Sequence, residues 1–525
     1  MRVVRHTVRL AGALLAAAAL AAAPIAPAAT LRIASANDPQ SLDPHALALL
    51  YHSRVVTQIY ESLVNRDRDF RLEPSLALSW QAVDARTWRF RLRPGVRFHD
   101  GAPFTADDAV FSIERALAKN SQRAFQLRGV TAVRKVDDHT IDVALAAPDV
   151  VLPEKLIFIG MMSKAWAAKH DVLKPQDYNA KQETWAVRHA NGTGPYKLQS
   201  YESDHRVVLV AHPEWWGKRG NVDEAVFLVI GSDATRLAAL ASGQVDFVID
   251  PPFQDVGRLK KDPRFRITET ADIGTQYLGF DQARAELPGS DAKGRNPFRD
   301  LRVRQAVAHA IDTDAIVAKV LRGQGTPIGS FVSRLVDGYD PALDRRLAYD
   351  PAKARALLKD AGWAEGFSVG MDCVSITWRA AACQAIAGML AQVGIKVSLA
   401  TAPAAQFFPK LTQAQSSLFE FGWTPTTDAW TMLNSTVRSF DAAGTGTFNA
   451  GRYVNPKLDA TIDAIRIAPS IEARRALVRD ALAILHADLP LVPLYRRTLA
   501  WAMRPGIEAA MWPNDILELR LVRVT

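Results

Sequence analysis

Two cysteines in 525 residues, no histidine between His309 and His486, and no long apolar run beyond the first thirty residues bound what this chain can be. A spanning helix needs about 20 consecutive apolar residues, so nothing after residue 30 reads as a membrane segment. No Lys/Arg block is interleaved with aromatics, which removes the usual footprint of a nucleic-acid binder. G-x-S-x-G, H-E-x-x-H and the phosphate-binding P-loop are all missing, and with them the common marks of a secreted hydrolase. Ser290-Asp-Ala-Lys293 fits S-x-x-K formally, but it lies in a polar, glycine-flanked stretch instead of on a helix. There is no internal repeat and no low-complexity tract.

What is present begins with an address. Arg2, Arg5 and Arg9 form a positive n-region, Leu10 to Ala23 an apolar h-region, and Ala26-Pro27-Ala28 offers small residues for cleavage near Ala28. Residues 1–28 are therefore expected to be a cleaved signal peptide and the mature chain a periplasmic protein. No cysteine stands at the cleavage point to accept a lipid, and no twin-arginine pair precedes the apolar run. Loss of the three leader arginines lowers the formal charge from +9 to about +6. That charge is scattered and reads as a solvated basic surface. In an oxidising compartment Cys373 and Cys383, ten positions apart, are expected to form a disulfide; two inert buried thiols are the alternative. With no histidine beside them, a metal site is not expected, and no cofactor is.

About 500 residues exceed a single core, so two or three subdomains are expected. Short strands dominate the region 63–184. From about residue 273 strands and helices alternate: Thr275–Asp281, Arg299–Ile311, Phe367–Met371, Ala380–Val393, Ile395–Leu399 and Leu418–Trp423. The order strand–helix–strand implies a right-handed parallel unit. Leu491–Met503 reads as extended chain returning to the first part of the molecule. The expected class is α/β with two lobes and a ligand cleft between them.

The stretch Trp88–Arg115 is the most informative. Trp88, Phe90 and Leu92 alternate with Arg89, Arg91 and Arg93 as in a half-buried strand, Pro94-Gly95 turns the chain, and Val96–Phe98 reads as a second strand. Thr105 and Asp108 have the spacing of a capping box for the helix that follows. As a string, it resembles the "LR.GV.FHDG.P.TA.DV.FS" signature of the family 5 extracellular solute-binding proteins, the dipeptide, oligopeptide and nickel receptors of ABC importers. Further segments resemble the same family in order. They are Leu42-Asp43-Pro44, Tyr60-Glu61-Ser62-Leu63-Val64, Gly192-Thr193-Gly194-Pro195-Tyr196 with Trp215-Trp216, Asp300–Ala306, Tyr349–Ala354 and Arg452–Pro456.

The resemblance implies a type II periplasmic-binding fold. Lobe I would comprise 30–272 plus 497–525, with 63–184 as an extra subdomain, and lobe II 273–496. It implies a monomer that captures a peptide-like or other medium-sized organic solute and delivers it to a membrane permease, without catalysis. A solute-sensing receptor or a peptide chaperone on the same scaffold is the alternative. The family's nickel branch depends on a histidine near Trp423, and none is there.

Each candidate ligand-binding residue carries a structural reading beside the functional one. Gly422 and Trp423 would give a ligand backbone access and a flat wall, or Trp423 is core. Asp428 would pair with a ligand cation, or caps the helix after it. Arg379 would grip a carboxylate, with Trp378 beside it, or lies on the surface; the Pro-rich loop that carries such an arginine in peptide receptors is missing here. Asn37 and Asp38 would touch ligand from lobe I, or shape the turn before Pro39. Tyr277 would line the cleft near the crossing, or simply pack there.

Overall fold

The computed structural model describes residues 29–424, 428–441 and 445–525; the leader and its expected cleavage at Ala28 lie outside them. Two sheet halves share one strand. Thr30–Ser35, whose alternate residues Leu31 and Ile33 are fully buried, lies parallel to Glu224–Val229 on one side and to Phe247–Ile249 on the other. Arg206–Ala211 and Tyr196–Glu202 extend this half antiparallel. In the other half Phe367–Val374 runs parallel to both Ile395–Ala402 and Leu418–Trp423, and Leu418–Trp423 pairs antiparallel with Thr275–Phe280.

The strand Leu491–Met503, thirteen residues long, joins the halves. Its first part pairs with Thr275–Phe280 and Gly325–Pro327, its second with Arg266–Ala271 and Phe247–Ile249. Pro493 lacks an amide proton, and the ladder shifts register opposite it, between Gln276 and Tyr277. Cores lie on both sides: Phe247, Trp501 and Met503 belong to one, Phe280, Leu494 and Tyr495 to the other. No helix among the described residues is long and apolar enough to cross a membrane.

A separate four-stranded antiparallel sheet, in the order Ala77–Asp84, Thr87–Leu92, Thr140–Leu145, Val130–Asp137, carries the Trp88 stretch. Phe90 and Leu92 are buried as the alternation requires, and Arg89 donates twice to Asp142 on the neighbouring strand at 2.8 Å. The capping box forms, with Thr105 N–H donating to Asp108 at 3.0 Å ahead of the helix Ala106–Ala116. Val96–Phe98 is not the expected strand. Pro103 cannot donate to a ladder, so the tight loop keeps a single bridge from Arg97 to Pro103 while Val96 and Phe98 turn inward.

The remaining motif residues meet where this sheet joins the larger one. His99 N–H donates to the Gly192 carbonyl at 2.8 Å, and Asn191 donates to Asp100 at 2.9 Å. A Cβ at Gly192 or Gly194 would run into the Gln58 and Ile59 carbonyls at the end of the helix Leu50–Ile59, so only glycine fits. Trp215 and Trp216 both donate to Glu61 at 3.1 Å. Asp43 accepts from both terminal nitrogens of Arg115 at 2.7 Å with neither side chain exposed, and Arg115 also donates to His45 Nδ1 at 3.0 Å. Burial first, then Arg115, pulls His45 down to about 3, so its ring is neutral and its Nε2–H faces the Gly160 carbonyl.

Two expectations follow. Asp43→Asn leaves Arg115 charged, buried and half-paired, and should cost roughly 3–5 kcal/mol in urea denaturation; a loss under about 1 kcal/mol would contradict a buried ion pair at this joint. Glu61 has its carboxyl pushed up to about 7 by burial. The folded form keeps a proton that the unfolded chain has released, so this group's stabilisation is full below the unfolded value of about 4.3 and is lost as pH rises toward 7. Melting temperatures between pH 4.5 and 7.5 should fall less steeply for Glu61→Gln than for the wild type; parallel curves would contradict the shift.

Candidate functional site: the gap between the sheet halves

The gap opens where the shared strand passes from one half to the other. Arg497 stands at that point and pairs with buried Asp272 at 2.7 Å, while the Asp272 amide donates to the Arg497 carbonyl at 2.9 Å. A cavity of about 390 Å³ lies beside this crossing, with Asp250 and Asp515 on one side and Trp378 and Thr377 on the other. The Trp378 ring sits under two guanidinium groups, Arg379 at 5.2 Å and Arg497 at 5.4 Å, and meets the Tyr495 ring at 6.4 Å. Asp250 adopts a left-handed backbone (φ 59°) before Pro251 and is held by Arg54 at 2.8 Å.

Beneath Trp378 lies a buried polar cluster. The disulfide Cys373–Cys383, Cα atoms 6.6 Å apart, ties the end of Phe367–Val374 to the helix Thr377–Ala391, whose first turn carries Trp378 and Arg379. Arg379 donates to Gln276 at 2.5 Å and lies 3.8 Å from Glu420, which is wholly buried. Burial raises the Glu420 carboxyl, with Arg379 and Arg497 opposing. Glu420 Oε1, Arg379 Nε and the hydroxyls of Tyr277 and Tyr495 are buried and make no hydrogen bond among the described residues.

A second cavity of about 930 Å³ lies against the end of Leu418–Trp423, walled by Phe408, Phe421, Trp423 and Phe448 with Phe125 reaching in from the four-stranded sheet's domain. Phe421 and Phe448 stack at 5.8 Å, and Trp423 tilts on Phe448 at 5.2 Å. No charged side chain lines it among the described residues.

Residues 71–444 match the description "Bacterial extracellular solute-binding proteins, family 5 Middle". The chain belongs to this family. It is 28% identical to the heme-binding protein A of Haemophilus influenzae, over 83% of this chain and 81% of that one. It is 25% identical to the dipeptide-binding protein of Escherichia coli, over 91% of each chain. Among solved structures, HbpA2 from Haemophilus parasuis superposes with a TM-score of 0.79 at 24% identity, covering 94% of this chain and all of that one. CtaP from Listeria monocytogenes gives 0.81 at 18%, covering 95% and 99%. These likenesses establish the two-lobed type II periplasmic-binding fold with its extra subdomain. The family is one of substrate-binding proteins.

Within this family 5 fold the residues singled out from sequence go to different places. Trp378 lines the cavity at the crossing, and Gly422 and Trp423 line the aromatic one. The space a Cβ would take at Gly422 is filled by the Gln276 and Arg379 side chains. Arg379 is buried, which corrects its surface reading, and a protein carboxylate already faces it. Asp428 caps the helix Ala429–Thr436 through Thr431 N–H and pairs with buried Arg474 at 2.9 Å, the geometry of its capping alternative. Tyr277 is buried edge-on between Phe331 and Phe421. Asn37 is exposed; Asp38 accepts from Gln40 and Tyr201 at 2.6 Å and Asp204 at 2.9 Å, the geometry of its turn alternative, and neither lines the cavities described. The formal S-x-x-K pair is dispersed: Ser290 donates to the Ser368 carbonyl and Lys293 pairs with Glu286.

Sequence reasoning missed Glu420, Gln276, Asp250 and the phenylalanines Phe125, Phe408 and Phe448. An acid inside Leu-Phe-Glu-Phe-Gly-Trp was a usable signal, because a carboxylate in a fully apolar strand needs a partner. The disulfide yields a direct expectation. Replacing Cys373 and Cys383 by serine removes a short cross-link and should cost roughly 2–3 kcal/mol in chemical denaturation. Thiol labelling of the wild type, denatured without reductant, should find no free thiol.

Proposed function

We propose that this protein is the periplasmic solute-binding subunit of an ABC importer, taking up a peptide-like or other medium-sized organic solute between its lobes and presenting it to a membrane permease. We divide it as lobe I, 30–272 plus 497–525 with 63–184 as the extra subdomain, and lobe II, 273–496. The observation that carries the reading is the shared strand. The two sheet halves are joined at one level, by Leu491–Met503 and the adjacent chain at Asp272, with one cavity beside this crossing and another against Phe421, Gly422 and Trp423. Such a joint bends at few residues, and a ligand touching both halves favours the closed form by its differential affinity alone. The family is shared with relatives named as dipeptide-binding and as ABC transporter periplasmic-binding proteins, which supports both cargo class and compartment.

Protein isolated from the native periplasm is expected to release an unaltered solute on denaturation, identifiable by mass spectrometry. Adding that solute back should compact the protein in small-angle X-ray scattering. Release of only chemically converted product, or an unchanged scattering profile with the solute bound, would overturn the reading.

A further inference from the structure

The aromatic cavity has a neighbour. Phe125, Thr431, Ser435 and Phe448 also line a second cavity of about 280 Å³, so the two spaces adjoin along these four residues. Their chemistry differs. The first holds no charged side chain, whereas the second carries Arg128, Arg466 and the Lys155–Asp149 pair, which is closed at 2.5 Å. Arg128 follows the short turn Ala124–Leu127 in the extra subdomain; Arg466 ends the helix Pro456–Arg466 on the opposite side. Both are exposed, and neither has an ion-pair partner among the described residues. Trp423 and Trp430, one at each cavity, keep buried indole N–H groups with no acceptor among the described residues.

Resting on the solute-capture reading above, we propose that the cargo is an amphipathic anion. Its flat apolar body lies among Phe408, Phe421, Trp423 and Phe448, and its acidic group is held between Arg128 and Arg466. Aromatic walls reward planar apolar surface, and a cavity with no charge of its own leaves a charged group there without a partner. An arginine with no internal carboxylate offers a two-pronged grip to a carboxylate or sulfonate. Because the two arginines belong to opposite sides of the gap, an anion that engages both draws the sides together. Arg379 is not available for this purpose, since Gln276 and Glu420 already surround it.

The test uses the dialysed, full-length mature protein and two probes with related N-phenylnaphthylamine skeletons. 1-Anilinonaphthalene-8-sulfonate carries an anion, and N-phenyl-1-naphthylamine does not. Fluorescence titration should show one site for the sulfonate, at least tenfold tighter than for the neutral probe. Arg128→Gln and Arg466→Gln should each weaken the sulfonate roughly tenfold and leave the neutral probe unmoved. Phe125→Ser and Phe408→Ser change side chains 44% and 38% exposed, so folding should survive, and both probes should weaken. Sulfonate binding that is absent, no tighter than the neutral probe, or indifferent to the arginines overturns the inference. If a native solute still elutes and still compacts the protein in that case, solute capture stands and only its chemistry is wrong. If nothing elutes and nothing compacts it, the reading beneath has failed.

Discussion

Everything that makes this molecule two-sided depends on one strand being claimed by both sheet halves. Leu491–Met503 gives its first residues to Thr275–Phe280 and its last to Arg266–Ala271 and Phe247–Ile249, so neither half can be completed without it. Tyr495 and Trp501, six positions apart, are both fully buried, but in different cores. Between them the Arg497–Asp272 pair fastens the strand to the chain crossing beside it. The ladder hydrogen bonds resist sliding but not bending, so relative motion is concentrated at this level, and a ligand lodged beside it acts on the whole of each side.

A second constraint holds the extra subdomain to the first lobe, and it explains why the most recognisable segments of the sequence lie away from the cavities. His99 with Gly192, Asp100 with Asn191, and Asp43 with Arg115 cross between the two, while Glu61 with Trp215 and Trp216 and the glycines Gly192 and Gly194 against the end of Leu50–Ile59 brace the first lobe beside them. Each is intolerant of substitution for a local reason: no space for a Cβ, or a buried charge with one partner. The Trp88–Arg115 stretch belongs to this set. It identifies the scaffold because scaffolds are built from steric exclusions, and it carries no information about cargo.

Such features were legible in the sequence because turn and cap chemistry is local. Thr105 with Asp108 acts within a few residues of itself and adopts the expected capping box, and the caps at Asp350 before Pro351 and at left-handed Gly243 are equally local. The Val96–Phe98 strand failed because its only partner is the chain just after it, where Pro103 has no amide proton to extend the ladder. The gap was far less legible. Phe421 sits in an apolar strand indistinguishable from core and Phe448 in a Gly/Thr-rich loop, and only the tertiary arrangement brings these rings and Phe408 to one cavity. Arg379 looked like a ligand contact because nothing in its own segment names Gln276 and Glu420 as neighbours, 103 and 41 positions away.

The same distinction separates affinity from selectivity. A wall of phenylalanines binds apolar surface in proportion to the area covered, about 25 cal/mol per Å², and discriminates poorly among solutes of similar size. Polar groups left without partners discriminate strongly, because a ligand that fails to satisfy them leaves their desolvation uncompensated. Beside the two cavities, the indole N–H groups of Trp423 and Trp430 find no acceptor and the guanidinium groups of Arg128 and Arg466 no ion-pair partner among the described residues, and all four stand on segments that meet only when the chain is folded. Phe125 and Arg128 occupy one turn of the extra subdomain, three residues apart, so that turn brings both an apolar and a cationic contact to the gap. A subdomain otherwise committed to scaffold thereby acquires a share in choosing the solute.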